Sequence, residues 1–302
     1  FEVVVDRPDE QQVIYSEQSP RYVERPIGQV LTFIDGDRFV VREETTAGWW
    51  HLYLHSMVKG RLKALTSGPW EVTALVHADK RGVWYLSTER SPLRRDLYRI
   101  DLQGRRKQRL TEGEGWHAIQ PGAGMKYFVD NYSSAVAPNR ISVRRGEKGE
   151  PVRDLVLKES PADRAYAAGE VPVKEFFTFR NGQGDELNAW MILPRDFDST
   201  KRYPVLLTQY SGPGSQEVAD RWRTDWTDLL PLEGYIVACV DPRGTGFRGE
   251  EFKKQTYGDL GRREVADQID FARYWAAQPF VDAGRIGIYG WSYGGFMALS
   301  CA

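Results

Sequence analysis

The sequence has few cysteines, almost no net charge and no long apolar run. Its 302 residues include only two cysteines, Cys239 and Cys301, which are too few for a disulfide framework or a cysteine-based metal site. The 41 basic and 42 acidic side chains leave a net charge of −1, so nothing indicates binding to nucleic acid or to an anionic membrane surface. No stretch approaches the roughly 20 apolar residues of a membrane-spanning helix. We therefore predict no cofactor, no metal ion and no nucleic-acid partner.

Histidine is missing from the second half of the chain, where the main chemical motif lies. In Gly290-Trp-Ser-Tyr-Gly294, an apolar strand runs into a serine that is followed by a stretch of small residues typical of a helix start. Gly-x-Ser-x-Gly in this context is typical of the nucleophile elbow of α/β-hydrolases, where the serine lies on a tight strand-to-helix turn. We predict Ser292 as a catalytic nucleophile.

The acid and the base of a catalytic triad are not where this motif requires them. In α/β-hydrolases the order along the chain is serine, then aspartate or glutamate, then histidine. Only ten residues follow Ser292, and none of them is acidic or histidine. Geometry allows a base from the first half, but we interpret the four histidines as strand or loop residues of another domain. These are His51, His55, His77 and His117. We expect a piece of a larger enzyme that lacks its acid and its base.

An internal repeat occupies the first half. The segment Leu52–Trp70 is similar to Leu97–Trp116, with offsets of 44 to 46 residues between matching positions, and a degenerate third copy includes Arg140–Val143. Val3–Asp6 is interpreted as the end of an earlier copy. A period near 45 with several short strands per unit is typical of β-propeller blades of about 40–50 residues. The strands of one unit are predicted to begin at Arg38, Trp50, Arg61 and Val72.

The predicted fold class is a partial β-propeller followed by a partial α/β-hydrolase domain. Residues 1–160 hold about three and a half repeats, fewer than the ~4 blades that a closed propeller needs. Polar and small residues at 161–175 predict a linker. Residues 176–302, where strands and helices alternate, are predicted to be the first half of an α/β-hydrolase domain.

Particular elements are predicted in this second part. A hairpin is expected around the turn Asn181–Gly184, and buried strands at Val205–Gln209 and Tyr235–Val240. A helix is expected at Glu264–Gln278, because apolar residues recur there at helical spacing. The residues expected in the core are Val265, Ile269 and Ala272, together with Trp275 or Ala276.

Two polar residues follow predicted sheet strands. The hydroxyl of Tyr210 could donate a hydrogen bond to an oxyanion, or the side chain could be an ordinary packed loop tyrosine. Asp241 is a candidate triad acid, but it precedes the serine, so we favour an ion pair with an arginine of its own loop.

Charged pairs and runs elsewhere are interpreted as surface features. Glu43–Glu44 and Glu250–Glu251 are expected to be exposed turn acids. The basic runs Arg94–Arg95 and Arg105–Lys107 are expected to be solvated turns between strands.

Three motifs together carry a resemblance to a known family. Gln209-Tyr-Ser-Gly-Pro-Gly-Ser-Gln216, Asp241-Pro-Arg-Gly-Thr-Gly246 and Gly290-Trp-Ser-Tyr-Gly-Gly295, combined with propeller-like repeats, resemble the prolyl oligopeptidase family of serine peptidases, and most closely its dipeptidyl peptidase IV branch. The resemblance implies removal of N-terminal dipeptides from peptide substrates with proline or alanine in the second position. It also implies an acyl-enzyme formed on Ser292.

The same resemblance implies further residue roles. The backbone N–H of Tyr293 and the hydroxyl of Tyr210 would be the two oxyanion donors, and the Tyr293 ring would help line the proline pocket. Export to the periplasm or cell surface and a homodimer are expectations from the family alone. The glutamate pair that grips the substrate's amino group in the family is expected before Phe1.

Two alternative functions remain open at this point. One is another propeller-gated serine peptidase that releases tripeptides, removes acylated amino acids or cleaves internally after proline. The other is a propeller that only binds proteins, attached to a degenerate hydrolase.

Overall fold

The computed structural model describes residues 2–4, 7–24, 28–44, 46–155, 160–171 and 173–302. The chain divides into two compact units. The first comprises Phe1–Gly113, His117–Asp130 and Ser142–Arg153, and the second comprises Glu114–Trp116, Asn131–Ile141 and Asp154–Ala302. Within the described part, no helix has both the length and the apolar character needed to cross a membrane.

Short strands make up most of the chain as far as Asp154. They are β1 (Glu2–Val4), β2 (Arg7–Gln12), β3 (Leu31–Phe33), β4 (Arg38–Glu43), β5 (His51–Ser56), β6 (Gly60–Ala64), β7 (Val72–Asp79), β8 (Gly82–Ser87), β9 (Asp96–Ile100), β10 (Gln108–Arg109), β11 (Trp116–Pro121), β12 (Tyr127–Ser134), β13 (Ala137–Arg145) and β14 (Pro151–Asp154). β1 pairs with β2, and β3–β6, β7–β10 and β11–β14 each form a four-stranded sheet in chain order. All strand pairs in β3–β6 and in β7–β10 are antiparallel. Among the described residues, these four sheets are separate and each is open.

The repeat is visible in matching hydrogen bonds. The N–H of Leu52 donates to Thr66 Oγ1 at 2.9 Å, and the N–H of Leu97 donates to Thr111 Oγ1 at 3.1 Å. Both residues of the second pair lie 45 positions after those of the first. The degenerate third copy falls in the sheet β11–β14, with Arg140–Val143 inside β13. Val3 and Val4 of the predicted earlier copy lie in β1, and residues 5 and 6 lie outside the described residues.

The predicted frame of the repeat is wrong by one strand. The strand that begins at Val72 was assigned to the same unit as those near Arg38, Trp50 and Arg61, but it opens the next sheet as β7. The strand that completes the first sheet is β3, at Leu31–Phe33. Three residues are too few to show the alternation of apolar and polar residues by which a strand is recognised in a sequence.

The acids Glu43 and Glu44 are buried, which corrects the prediction that they are exposed turn acids. Glu43 ends β4, where it accepts hydrogen bonds from Tyr15 at 2.9 Å and from Arg61. The ion pair with Arg61 lowers the cost of burying the carboxylate. The prediction agrees better with the other pair, Glu250–Glu251. Glu251 is exposed, and Glu250 is half-buried and pairs with Lys254.

Of the two basic runs, one is solvated as predicted and the other is not. Residues 105–107 are exposed in a turn. Arg95 is buried, and its Nη1 donates to the carbonyls of Pro92 and Arg94 at 3.0 and 2.7 Å. The Arg95 guanidinium therefore supplies hydrogen bonds to two backbone carbonyl groups of its own loop in the first unit.

One mixed sheet organises the second unit. Its strands are β15 (Glu175–Arg180), β16 (Glu186–Ile192), β17 (Tyr203–Thr208), β18 (Ile236–Val240) and β19 (Val281–Tyr289). They lie in the order β15-β16-β18-β17-β19, with antiparallel pairing up to β18 and parallel pairing of β17 with both β18 and β19. The predicted hairpin and both predicted buried strands are confirmed. The carboxyl ends of β17, β18 and β19 meet at one edge of the sheet, where α/β folds bind ligands.

Besides two 3₁₀ helices, Trp226–Glu233 and Lys254–Thr256, the described residues of this part form four α-helices. They are α1 (Pro161–Ala167), α2 (Glu250–Lys253), α3 (Arg263–Ala276) and α4 (Tyr293–Cys301). α1 lies within the segment predicted as a linker, and a capping box between Ser160 and Asp163 starts it. α3 confirms the helix predicted at Glu264–Gln278 to within two residues at each end.

The buried face of α3 agrees with the predicted one only at Trp275. Val265, Ile269 and Ala272 are half-buried and Ala276 is exposed, whereas the buried residues are Glu264, Asp267, Gln268, Phe271 and Trp275. Phe271 and Trp275 pack on the sheet together with Phe179 and Leu187. The prediction followed the spacing of apolar residues, which does not reveal polar side chains that are buried because each bonds to a neighbouring segment.

Candidate active site

Ser292 lies between the end of β19 and the start of α4, on the predicted strand-to-helix turn. Its backbone has φ 56° and ψ −116°, and its side chain is exposed. A positive φ is unfavourable for a residue with a Cβ, and a residue held in such a conformation costs about 1–3 kcal/mol. Its carbonyl accepts hydrogen bonds from the N–H groups of Gly295 and Phe296 at 2.9 and 3.2 Å. The turn thus holds a serine hydroxyl in solvent at the start of a helix.

The glycines on either side of Ser292 are required by close packing. A Cβ on Gly290 would lie 2.4 Å from the carbonyl oxygen of Gly294 and 2.6 Å from Nε2 of Gln209. A Cβ on Gly294 would lie 2.6 Å from the carbonyl oxygen of Gln209. No carbon atom fits at these distances, so the Gly-x-Ser-x-Gly spacing lets the elbow approach the loop after β17.

The loop after β17 carries Tyr210 and is tied to the elbow. Gln209 Nε2 donates to the carbonyl of Gly294 at 2.8 Å, and the N–H of Gln209 donates to the carbonyl of Tyr289 at 3.1 Å. Ser211 follows with φ 63°, and its hydroxyl donates to Gln209 Oε1 at 2.8 Å. Tyr210 is therefore held on both sides.

The two predicted tyrosines are neighbours. The ring centroids of Tyr210 and Tyr293 are 6.3 Å apart, with an angle of 49° between the rings. The hydroxyl of Tyr293 donates to Glu264 Oε1 at 2.6 Å. Burial, together with this bond to a carboxylate, raises the pKa of the Tyr293 phenol. The structure thus places Tyr210 and Tyr293 beside each other, with Tyr293 directly after Ser292 in the chain.

Asp241 follows β18 and is buried. Its two carboxylate oxygens accept hydrogen bonds from the N–H groups of Glu217 and Val218, each at 2.9 Å. Burial raises the pKa of this carboxyl to about 7. The predicted ion pair within its loop is wrong, because Arg243 donates to Asp267 on α3 at 2.8 Å instead. Asp241 holds the backbone that follows Tyr210.

The four histidines all lie in strands of the first unit, as predicted. His51 contacts Thr66 and Gly68, and His55 stacks on Phe39. The remaining two contact carboxylates, with 3.1 Å from His77 Nε2 to Asp79 and 2.9 Å from His117 Nδ1 to Asp130. Each ring therefore has a local structural role in its own sheet.

A cavity of about 450 Å³ opens beside the elbow in the second unit. Tyr210, Tyr289 and Trp291 lie on its wall, and the charged side chains of Arg221 and Glu217 also line it. Its volume is within the range of ligand-binding pockets in proteins. Among the residues that the structure describes, no group of three or more His, Cys, Asp or Glu side chains could hold a metal ion.

Two sequence models of known families match separate parts of the chain. Residues 222–302 match the Prolyl oligopeptidase family, and residues 3–139 match the Dipeptidyl peptidase IV (DPP IV) N-terminal region. The chain belongs to the prolyl oligopeptidase family. The match to the first model includes Ser292 and the glycines around it.

Curated relatives and solved structures agree with this family. A probable dipeptidyl-aminopeptidase B of Podospora anserina is 36% identical over 241 residues, which are 78% of this chain and 26% of that protein. A probable dipeptidyl peptidase 4 of Emericella nidulans is 34% identical over 261 residues, 83% of this chain and 33% of that protein. The chain therefore spans about a quarter to a third of the length of these relatives.

Two solved structures also resemble the chain. The dipeptidyl peptidase 4 of Porphyromonas gingivalis superposes with a TM-score of 0.91 at 40% identity, and the match covers 98% of this chain and 42% of that one. A putative dipeptidyl aminopeptidase IV of Bacteroides ovatus gives a TM-score of 0.81 at 26% identity, and the match covers 94% of this chain and 43% of that one.

The sequence prediction missed the polar side chains that support the site. Gln209, Glu264 and Gln268 were not singled out, although each bonds to a residue of the elbow or of the Tyr210 loop. A signal for two of them was present. Phe271 and Trp275, four residues apart, mark a buried helix face, and counting back along that face reaches Gln268 and Glu264.

Proposed function

We propose that the full-length protein containing this chain is a serine dipeptidyl peptidase, which releases N-terminal dipeptides with proline or alanine in the second position. The observation that carries the proposal is Ser292, an exposed serine with a strained backbone on a glycine-flanked turn. The names of the relatives support the dipeptide-releasing activity.

In this proposal Ser292 Oγ attacks the carbonyl carbon of the second substrate residue. The oxyanion that forms accepts hydrogen bonds from the backbone N–H of Tyr293 and the hydroxyl of Tyr210. Collapse of this intermediate expels the rest of the peptide and leaves a dipeptidyl ester on Ser292, which water then hydrolyses. The hydroxyl of Tyr293 donates a hydrogen bond to Glu264, which holds the ring, and in this proposal the ring packs against the substrate's proline.

The general base is proposed to be a histidine outside residues 1–302. Each of the four histidines in this chain already has a structural contact in the first unit, and none follows His117. The 302-residue chain by itself is therefore expected to be inactive.

The three four-stranded sheets are proposed to be blades of a β-propeller. Their period near 45 residues, their chain-order connections and the match of residues 3–139 to the DPP IV N-terminal region support this. A homodimer of the full-length protein is part of the same proposal and is tested by light scattering.

The experiment is hydrolysis of Gly-Pro-p-nitroanilide and of its N-blocked analogue by the full-length protein. Only the free-amine substrate should be cleaved, and Ser292→Ala should reduce kcat by roughly 10⁶-fold. Ser300→Ala is the matched control, because Ser300 is an exposed serine of α4 whose hydroxyl donates to the Phe296 carbonyl of the same helix at 2.8 Å. It should keep full activity.

Other outcomes would redirect the proposal. Cleavage of the blocked substrate would assign the protein to an endopeptidase or acylaminoacyl type of the family. No hydrolysis of either substrate by the full-length protein would favour a binding role, and hydrolysis by the 302-residue chain alone would refute a base outside it.

A further inference from the structure

Three polar side chains occupy the buried face of the first two turns of α3. Glu264 and Asp267 are 0% exposed and Gln268 is 1% exposed. Their positions i, i+3 and i+4 lie on one side of a helix, facing the sheet edge where β17, β18 and β19 end. A face of this kind would usually be apolar.

Each of the three bonds to a different loop at that edge. Glu264 Oε1 accepts from the Tyr293 hydroxyl after β19, at 2.6 Å. Asp267 accepts from Arg243 after β18, at 2.8 Å. Gln268 Nε2 donates to Ser211 Oγ after β17, at 3.1 Å, and to the carbonyl of Val240 at 3.3 Å.

Two of these contacts continue to the elbow. From Gln268 a chain of hydrogen bonds passes through the Ser211 hydroxyl to the Gln209 side chain at 2.8 Å, and from Gln209 to the carbonyl of Gly294 at 2.8 Å. The chain passes both neighbours of Tyr210. The contact of Glu264 ends on Tyr293, so both routes reach the residues directly after Ser292.

The arrangement is not the most stable one available to a buried helix face. Glu264 Oε2 and Gln268 Oε1 are buried and have no hydrogen-bond partner among the described residues. An unsatisfied buried oxygen costs stability, whereas apolar side chains at the same positions would not. Places where a protein departs from good packing rules tend to be functional sites.

We propose that Glu264 and Gln268 of α3 are positioning residues, which hold Tyr293 and Tyr210 where their N–H and hydroxyl groups meet the oxyanion. Neither touches the substrate. Asp267 holds the remaining loop but leads to neither oxyanion donor. This inference rests on the proposed function, since it assigns the two residues a part in the reaction of Ser292.

The test uses Gln268→Met in the full-length protein, because methionine keeps the volume but donates no hydrogen bond. We expect kcat for Gly-Pro-p-nitroanilide to fall by about 10-fold with KM changed less than twofold, since an oxyanion contact exists only in the transition state. In a Tyr210→Phe background, Gln268→Met should cause almost no further loss. Phe271→Leu is the matched control, as Phe271 is buried on the same face but packs on aromatic rings such as Phe179. It should destabilise the protein and leave kcat unchanged.

The second arm concerns Glu264. Glu264→Gln keeps an oxygen that accepts the Tyr293 hydroxyl and should retain most of kcat, whereas Glu264→Leu should lose about 10-fold or more. Full kcat in both Gln268→Met and Glu264→Leu would overturn the inference. For Gln268→Met, a loss in the Tyr210→Phe background as large as in wild type would also overturn it, because the effect would then not pass through Tyr210.

A second readout separates this inference from the proposed function. The rate at which a fluorophosphonate labels Ser292 depends on the nucleophile and the oxyanion donors but needs no peptide specificity. If the wild type is labelled but does not cleave Gly-Pro-p-nitroanilide, the proposed substrate is wrong, and slower labelling of Gln268→Met still supports positioning. If the wild type is neither labelled nor active, both proposals fail.

Discussion

Adding one methyl group at two adjacent glycines of α4 should have opposite effects. A Cβ on Gly294 would lie 2.6 Å from the Gln209 carbonyl oxygen and 3.2 Å from Tyr210 Cα, whereas a Cβ on Gly295 would lie 3.6 Å from its nearest neighbour, the Gly290 carbonyl oxygen. Ordinary van der Waals contact begins at 3.4 Å, so Gly294→Ala must move the Gln209 backbone by about 0.8 Å.

The magnitudes follow from this difference. Overpacking of this kind costs about 1–3 kcal/mol of the free energy of unfolding. Gly295→Ala places alanine inside a helix without a clash and should stabilise by about 0.5–1 kcal/mol. Because Gln209 adjoins Tyr210, the displacement in Gly294→Ala should also reduce kcat, by up to about 10²-fold, the loss that a misplacement near 1 Å can cause.

The assay is urea unfolding of both variants of the full-length protein, followed by hydrolysis of Gly-Pro-p-nitroanilide and by labelling of Ser292 with a fluorophosphonate. Gly295→Ala serves as the control for adding a methyl group to this helix. The reasoning would be refuted if Gly294→Ala matched Gly295→Ala in stability and in labelling rate, since the elbow would then not need its close approach to the β17 loop.

Three further predictions concern other parts of the chain. Tyr210→Phe should lower kcat by ~10²–10³-fold with KM nearly unchanged, measured by steady-state hydrolysis of Gly-Pro-p-nitroanilide, because it removes one of the two proposed oxyanion donors; an equal change in KM and none in kcat would contradict that role. The pKa of Asp241 is raised to about 7, from about 3.9 in an unfolded chain. The folded state therefore binds the proton more tightly than the unfolded state does. The stabilisation from this carboxyl is present at low pH and is lost as the pH rises from about 4 to 7. The free energy of unfolding of wild type relative to Asp241→Asn, from urea curves at several pH values, should fall across that window and be flat above it. Thr66→Val and Thr111→Val should each cost about 1–3 kcal/mol in urea unfolding, because each leaves the N–H of its partner leucine without an acceptor; clearly different costs would show that the two repeats are not equivalent.

Local patterns with a short sequence signature were predicted well. The elbow depends on five consecutive residues, and the hairpin and the buried strands of the second unit depend on short apolar runs bounded by turn residues. The period of 45 was also visible, because Leu52 and Thr66 recur as Leu97 and Thr111 in the same hydrogen-bonded roles.

The predictions failed where burial depends on partners distant in sequence. Glu43 is buried because Arg61, 18 residues later, pairs with it, and hydrophobicity alone ranks it as a surface residue. Arg243 was expected to pair within its loop, but its partner Asp267 lies 24 residues away on α3. The buried face of α3 was misjudged for the same reason, since Glu264 and Gln268 are internal only through their bonds to loops that lie elsewhere in the sequence.

The backbone of Ser292 also bears on how this protein would change if catalysis were no longer needed. Its φ of 56° and ψ of −116° are strained for serine, whereas glycine adopts positive φ readily. Replacement by glycine would abolish the hydroxyl and relieve the strain in one step, so stability alone would favour loss of the nucleophile. A scaffold that had drifted into a purely binding role would be expected to lose this side chain early. Its presence on a strained turn supports the proposed role of Ser292 as the nucleophile.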